Sequence, residues 1–346
     1  MTVRMKDIAR ELGVSVVTIS KVLRNHPDVG EETRERVLAR VRELDYQPNL
    51  AARGFATGRT YLIGLIVPGL LHPFFAEVAK SISDILREDG YYLIISSSEE
   101  DPDLEEQEVI QLLARRLDTL IIASCHSTID LFFRIERQKV PYVLIDRSFP
   151  GLSANFVGVD DVAAGMLATQ HLIDIGCSRI AHIRGPEISP GLQRLEGYKR
   201  ALGQSGMEIV DEYVITERKS EQGRRGAEAM RELLNLKPRP DGVFCFNDPL
   251  ATAAMDEALN RGLKIPEDIA VIGCGNLHYD DSLRVPLSSI DQHSRRIGEE
   301  AARLVLDILK SKAAPNPETV LLQPTLVARA STARCAANRH PSSKTS

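Results

Sequence analysis

Apolar and polar positions change their rhythm once along this chain. Over residues 1–46 the apolar side chains recur at helical spacing and no strand-like run occurs. Ile8, Ala9 and Leu12 share one face of a first helix over 6–12. Ile19, Val22 and Leu23 share one face of a second, which begins at Val16. Val37, Leu38, Val41 and Leu44 do the same for a third over 31–44. Gly13-Val14 supplies a tight turn, where glycine takes a positive φ without strain. Ser15 is a natural N-cap for the second helix, which leaves Val16, Val17, Ser20, Lys21 and Arg24 facing outward. From residue 61 the texture differs. Short apolar runs fall at 62–67, 91–95, 119–123, 142–145, 179–183, 242–246 and 269–272. Helical period fills 74–87, 104–115, 161–175, 194–202, 223–234, 249–261 and 294–309. Such alternation, with runs this continuous, predicts parallel sheets covered on both faces. There are too many units for one sheet, so two α/β lobes are predicted.

Between the two textures lies an Ala-rich stretch from Pro48 to Gly58. Pro48 can start a helix and Gly58 can end one, but so short a helix is marginal alone. Residues 331–346 are rich in Ser, Ala and Arg and read as a disordered tail.

Composition narrows the class without naming it. The 346 residues are 43% hydrophobic and 26% charged, ample for more than one buried core. The five cysteines (Cys125, Cys177, Cys245, Cys274 and Cys335) form no CxxC and have no His partner at metal-ligand spacing. They read as reduced thiols in a cytoplasmic protein that needs neither metal nor cofactor. The amino terminus carries early charges and no apolar run, and no later stretch is long enough to span a bilayer, so no membrane partner is expected. A net charge of −5 hides an asymmetry: residues 1–60 hold 11 basic and 8 acidic side chains, and the remainder holds 32 and 40. A basic head on an acidic body suits a local nucleic-acid footprint.

Three short helices with a Gly-containing turn between the first two fit the helix-turn-helix plan, whose second helix enters the major groove. Lys21 could then donate to a guanine edge, while Val16 and Val17 meet thymine methyls. The hydroxyls of Ser15, Thr18 and Ser20 suit phosphates or bases. The alternative is a small three-helix bundle whose exposed charges are only solvated. An enzyme reading finds no GxxxxGK[ST], no GxGxxG after a strand and no HExxH, and it leaves the head unexplained.

Met5-Lys6-Asp7-Ile8-Ala9 and the run Gly13 to Leu23 resemble the head of the lactose-repressor (LacI/GalR) family. Glu32 to Val37 and Tyr46-Gln47-Pro48-Asn49 match that family's next landmarks in order and spacing. The likeness continues through Ile63 to Pro68, Pro73 to Glu77, Arg194 to Tyr198 and Phe244 to Asp248, covering the chain to about residue 330. It implies an all-α helix-turn-helix head plus an α/β periplasmic-binding-protein-like body of two parallel-sheet lobes. The implied limits are a head over 1–47, a hinge over 48–59 and an effector-binding, dimerising core over 60–330. Lobe 1 takes about 60–160 and 290–322; lobe 2 takes about 161–289 and 323–330.

The implied function is that of a ligand-responsive, sequence-specific transcription regulator. Its partners are a palindromic double-stranded DNA operator, a second copy of the chain and a small sugar, sugar acid or related metabolite. Repression is the usual outcome, and a tetramer is left open. The DNA contacts carried over are Ser15, Val16, Val17, Thr18, Ser20, Lys21 and Arg24, with Asn49, Arg53 and Phe55 in the hinge. Phe55 stands where leucine is usual; it is either a minor-groove wedge or ordinary packing. The effector residues carried over are Phe74, Arg147, Asp160, Arg194, Asn247, Asp248 and Asn276. Two departures bear on the effector: Gly275 and Gly69 stand where the family often has acids. A cleft that keeps its arginines and loses two carboxylates tilts toward an anionic or less hydroxylated ligand.

Overall fold

The computed structural model describes residues 3–23, 26–46, 58–216, 225–311 and 316–334. It divides into two compact units, Met1–Thr60 and Tyr61–Ser346.

In the first unit, α1 (Met5–Leu12), α2 (Val16–Leu23) and α3 (Glu31–Glu43) pack around Ile8, Ala9, Ile19, Val22 and Val37. Val41 and Leu44 pack against this core, but Leu38, expected inside, is 37% exposed. So small a bundle has room for only one buried residue from its third helix. Gly13 takes φ +64° at the turn, as the sequence requires of it.

The second unit is a pair of α/β lobes. Lobe 1 has β1 (Leu62–Val67), α4 (Pro73–Glu88), β2 (Tyr92–Ser97), α5 (Pro102–Ala114), β3 (Thr119–Ile122), α6 (Asp130–Arg137), β4 (Tyr142–Ile145) and β5 (Asn155–Val159). Lobe 2 has α7 (Asp161–Asp174), β6 (Ile180–Arg184), α8 (Ser189–Gln204), β7 (Val214–Thr216), α9 (Arg225–Asn235), β8 (Gly242–Cys245), α10 (Asp248–Asn260), β9 (Ala270–Cys274) and β10 (Ser288–Asp291). The chain then returns to lobe 1 with α11 (Ser294–Lys310) and β11 (Thr319–Leu322), and crosses once more to β12 (Thr325–Val327).

Each lobe holds a six-stranded sheet, in the orders β11-β5-β4-β3-β1-β2 and β12-β10-β9-β8-β6-β7. Every pairing is parallel except β10 with β12. The central strands are apolar on both faces because helices cover both. Three passages therefore join the lobes, after β5, β10 and β11.

The carboxyl-terminal segment corrects the expectation of a tail from residue 331. A turn over Ala330–Thr332 buries Ser331 and Thr332 completely or nearly so. Ser331 Oγ accepts from the Ser288 amide at 2.8 Å and donates to the Val271 carbonyl at 2.6 Å, so its polarity is spent inside lobe 2. Arg334 donates to the Pro266 and Asp241 carbonyls at 2.8 and 2.5 Å. Residues 335–346, Cys335 included, lie outside the described residues.

Candidate functional site

The head presents α2. Ser15 caps it as expected, its Oγ accepting from the Thr18 amide at 3.0 Å and lying 2.8 Å from Thr18 Oγ1. With Ile19 and Val22 buried, Val16 and Val17 stand 45% and 62% exposed at the start of the helix. One helical turn further on, Lys21 reaches Asp28 at 3.2 Å. An exposed pair of that kind is worth little, so a phosphate or base edge can displace the aspartate. Two exposed apolar side chains, hydroxyls and a cation on one helical face match what a major-groove edge offers. Arg24, Asn49, Arg53 and Phe55 lie outside the described residues.

In the body, two buried arginines, one from each lobe, are paired with carboxylates. Arg147, just after β4, is buried and grips Glu100 with both guanidinium tips, at 2.7 and 3.1 Å. It also donates to the Ser124 carbonyl at 3.2 Å, while its buried Nε–H has no hydrogen-bond partner among the described residues and lies 3.7 Å from Asp146. Arg194, in the first half of α8, is also buried. It donates to Asp161 from Nε and Nη2 at 2.8 and 2.7 Å and to the Phe246 carbonyl at 2.7 Å. Its guanidinium lies 4.7 Å over the Phe246 ring. Three of its five N–H groups are therefore taken by lobe 2 itself.

Asp146 lies 3.7 Å from Arg147 Nε with φ +62°, and burial pushes its carboxyl up to about 6 even though Arg147 and Arg194 pull the other way. The sequence reading missed Asp146, Asp161 and Glu100. With them in place, the two arginines face three carboxylates, and the argument for an anionic ligand from unpaired cations fails.

Phe74 is 3% exposed and packs edge-on against Phe75, with ring centroids 5.0 Å apart. His72, the residue before α4, touches both rings and meets Asn247 of lobe 2 at 3.5 Å. Asn247 Oδ1 caps α10 by accepting from the Leu250 amide at 3.0 Å, so its NH2 group is the donor toward His72 Nε2. The ring proton of His72 then belongs on Nδ1, which is buried and has no hydrogen-bond partner among the described residues. Burial, reinforced by Arg147 and Arg194, pushes the imidazole down to about 4. A second bond bridges the lobes, from the Ser148 amide to Ser189 Oγ at 2.8 Å. No pattern in the sequence marks His72, because only the fold brings it opposite Asn247.

Three expected effector residues have other work. Asp160 caps α7, accepting from the Ala163 amide at 2.9 Å. Asp248 is fully buried beneath the loop after β9, where it accepts from Ser289 Oγ at 2.6 Å and the Leu277 amide at 3.2 Å. Asn276 donates to Asp291 at 3.1 Å and accepts from Arg329 at 2.7 Å. The missing carboxylate at Gly275 now has a reason. Its φ is +146°, and a Cβ there would lie 2.6 Å from Asp248 Oδ2. Gly273 is held bare likewise, its Cβ position 2.1 Å from Asp248 Oδ1.

Known proteins share both parts. Residues 4–49 match the bacterial regulatory proteins of the lacI family, and residues 169–332 match the periplasmic binding protein-like domain. The chain is 31% identical over 336 residues to the HTH-type transcriptional regulator DegA of Bacillus subtilis (strain 168), covering 96% of this chain and 98% of that one. It is 33% identical over 322 residues to catabolite control protein A of Priestia megaterium, covering 92% and 95%. The lac repressor dimer bound to operator and the anti-inducer ONPF superposes with a TM-score of 0.83 at 25% identity, covering 96% of this chain and 99% of that one. The complex of the transcriptional regulator CelR with cellobiose gives 0.72 at 30% identity, covering 95% and 99%. With the head, the paired parallel-sheet lobes and these relatives in agreement, the chain belongs to the lacI family of bacterial regulatory proteins and is a DNA-binding transcription regulator.

Proposed function

We propose that the chain represses transcription by binding a palindromic operator as a dimer, and that a small neutral, polyhydroxylated molecule between the lobes controls that binding. The observation that carries the ligand class is the charge balance of the cleft. Arg147 and Arg194 offer donors and Glu100, Asp146 and Asp161 offer acceptors, a mixture suited to hydroxyls, which both give and take hydrogen bonds. Phe74, packed into the core of lobe 1, and Phe246, under the Arg194 guanidinium, supply the apolar backing of the site. The effector contacts proposed are therefore Phe74, Arg147, Arg194 and Asn247, joined by His72 and rimmed by Asp160. Asp248 and Asn276 hold the loop behind them. The CelR structure, solved with cellobiose, supports the same ligand class.

On the DNA side, Ser15, Val16, Val17, Thr18, Ser20 and Lys21 face the major groove in this reading, with Arg24 at the end of α2. Asn49, Arg53 and the Phe55 wedge act in the hinge over 48–59. The work is regulation rather than catalysis, and it is done in the cytoplasm.

Two measurements test this. Gel retardation on operator-like palindromes must show binding that weakens steeply as salt rises. Failure to retard any of them defeats the regulator reading. Calorimetric titration with neutral sugars and with sugar acids decides the ligand class, and binding of the acids alone overturns the neutral assignment.

A further inference from the structure

Beneath the loop after β9, two carboxyl groups face each other with almost no water between them and the core. Asp248 and Asp280 are both 0% exposed, both flank Leu277 (the Leu277 amide donates to Asp248 and its carbonyl accepts from the Asp280 amide at 3.0 Å), and each carboxyl acts on the other. Asp248 has donors, from Ser289 Oγ and the Leu277 amide. Neither oxygen of Asp280 makes a well-formed hydrogen bond among the described residues, and the one N–H near it, the Leu277 amide, is bonded to Asp248. Two carboxylates cannot bond each other, whereas a carboxylic acid and a carboxylate can. We propose that Asp248 and Asp280 share one proton at neutral pH, and that this carboxyl–carboxylate dyad is the clasp holding the 275–280 loop against the crossover strand β10.

The placement gives the clasp its consequence. Gly273 and Gly275 are kept bare by the same Asp248 oxygens. Leu277, between the two aspartates in sequence, is 2% exposed and belongs to the hydrophobic core of lobe 1. Its amide is bonded to Asp248 in lobe 2, so the loop stitches the lobes together at the dyad. On the opposite side of the loop, Asn276 ties to Asp291 and Arg329, and Arg329 pairs with Asp281.

The charged neighbours do not supply a second way to settle Asp280. Arg194 acts on Asp248 from α8, and Arg329 acts on Asp280 from beyond β12. Burial and the Asp248 carboxylate outweigh Arg329 and the Leu277 amide and push Asp280 up to about 8. The Cys245 and Tyr279 side chains nearby are themselves pushed up by burial and stay neutral. Between the ordinary carboxylate range and about 8 the folded chain thus holds a proton that the unfolded chain releases. Stability conferred through the dyad declines as pH rises through that window and levels off above it.

The experiment uses the full chain and Asp280→Asn, whose amide N–H can take the place of the shared proton at every pH. Thermal melting from about pH 5.5 to about pH 8.5 should lower the wild-type Tm relative to D280N by at least about 4 °C. Infrared difference spectra near pH 7.5, where Asp146 is ionised, should show a protonated-carboxyl band in the wild type that D280N lacks. Amide exchange of residues 275–283, corrected for its intrinsic pH dependence, should accelerate above about pH 8 in the wild type alone. Parallel melting profiles overturn the proposal. So does absence of the protonated-carboxyl band in the wild type, a measurement that needs no variant to fold.

Discussion

Arg194 owes its position to a carboxylate it cannot leave. Asp161 and Arg194 are both buried, and the aspartate has no other cation within bonding distance among the described residues. Burial of the Asp161 carboxyl raises its pKa while Arg194 opposes the rise. Replacing the arginine by methionine strands that charge, which costs about 3–5 kcal/mol. Urea unfolding should register this loss for Arg194→Met, and pairing it with Asp161→Leu should recover a large part. An unchanged midpoint in the single variant would show that the pair is not what holds α7 to α8. His72 poses a different test at the same scale. Its ring is held neutral down to about 4, against an ordinary value of 6.5, so acidification through that range drains stability as the unfolded chain gains the proton first. Ring nitrogen chemical shifts should report a neutral Nδ1–H imidazole at about pH 6. An imidazolium signal there contradicts the geometry with Asn247.

Elements meet in this fold where glycine lets them. A Cβ on Gly197 of α8 would lie 2.2 Å from the Val162 carbonyl oxygen, and one on Gly165 of α7 would lie 2.2 Å from that of Arg194. Because backbone is the obstacle, the helices themselves must part to admit a methyl group. Gly197→Ala should therefore cost about 1–3 kcal/mol and pull Arg194 off Asp161. The two effects separate by measurement: melting reports the first, and calorimetry with a bound neutral sugar reports the second. Retention of both values would refute the role given to this contact.

The same scale explains what the sequence could and could not yield. Short apolar runs such as those of β1, interrupted only by Gly64, and β4 announce buried parallel strands, because they are too short for buried helices, rich in β-branched and large apolar residues and bounded by turn signals. β10 escapes that rule. Its Ser288 and Ser289 are fully buried, yet their hydroxyls are satisfied by Arg329, Thr332 and Asp248 from distant parts of the chain. β7 is only three residues long, and β5 opens on Asn155 and has only three apolar side chains, so neither carries a clear signal. In the cleft, Arg147 and Arg194 were legible through family motifs, but their carboxylate partners lie 47 and 33 positions away. Charge balance is a property of such pairings, and for that reason the residues at 69 and 275 alone tilt the expectation toward an anionic or less hydroxylated ligand, while the pairings underlie the neutral one proposed.

At the scale of the whole molecule, the dimer reading makes a demand on the surface of lobe 1. Leu71 is 98% exposed and Leu70 52%, both on the segment leading from β1 to α4. Together with Pro73, Ala76, Lys80 and His278 they line a groove of about 680 Å³. Apolar side chains exposed to this degree, gathered beside a groove, suit a surface covered on association. A second copy of the chain is the occupant proposed, because an operator with two half-sites needs two heads. The groove also takes His278 from the loop that the Asp248–Asp280 dyad holds, so a loosened loop would reach the dimer contact as well as the cleft. Leu71→Asp places a charge in the proposed contact without touching either core. Light scattering should then report a single-chain mass where the wild type gives twice that value. Affinity for a palindromic operator should fall by at least about 100-fold, since each head then binds its half-site alone. A Leu71→Asp variant that stays dimeric and binds the operator undiminished would place the dimer contact elsewhere on the body.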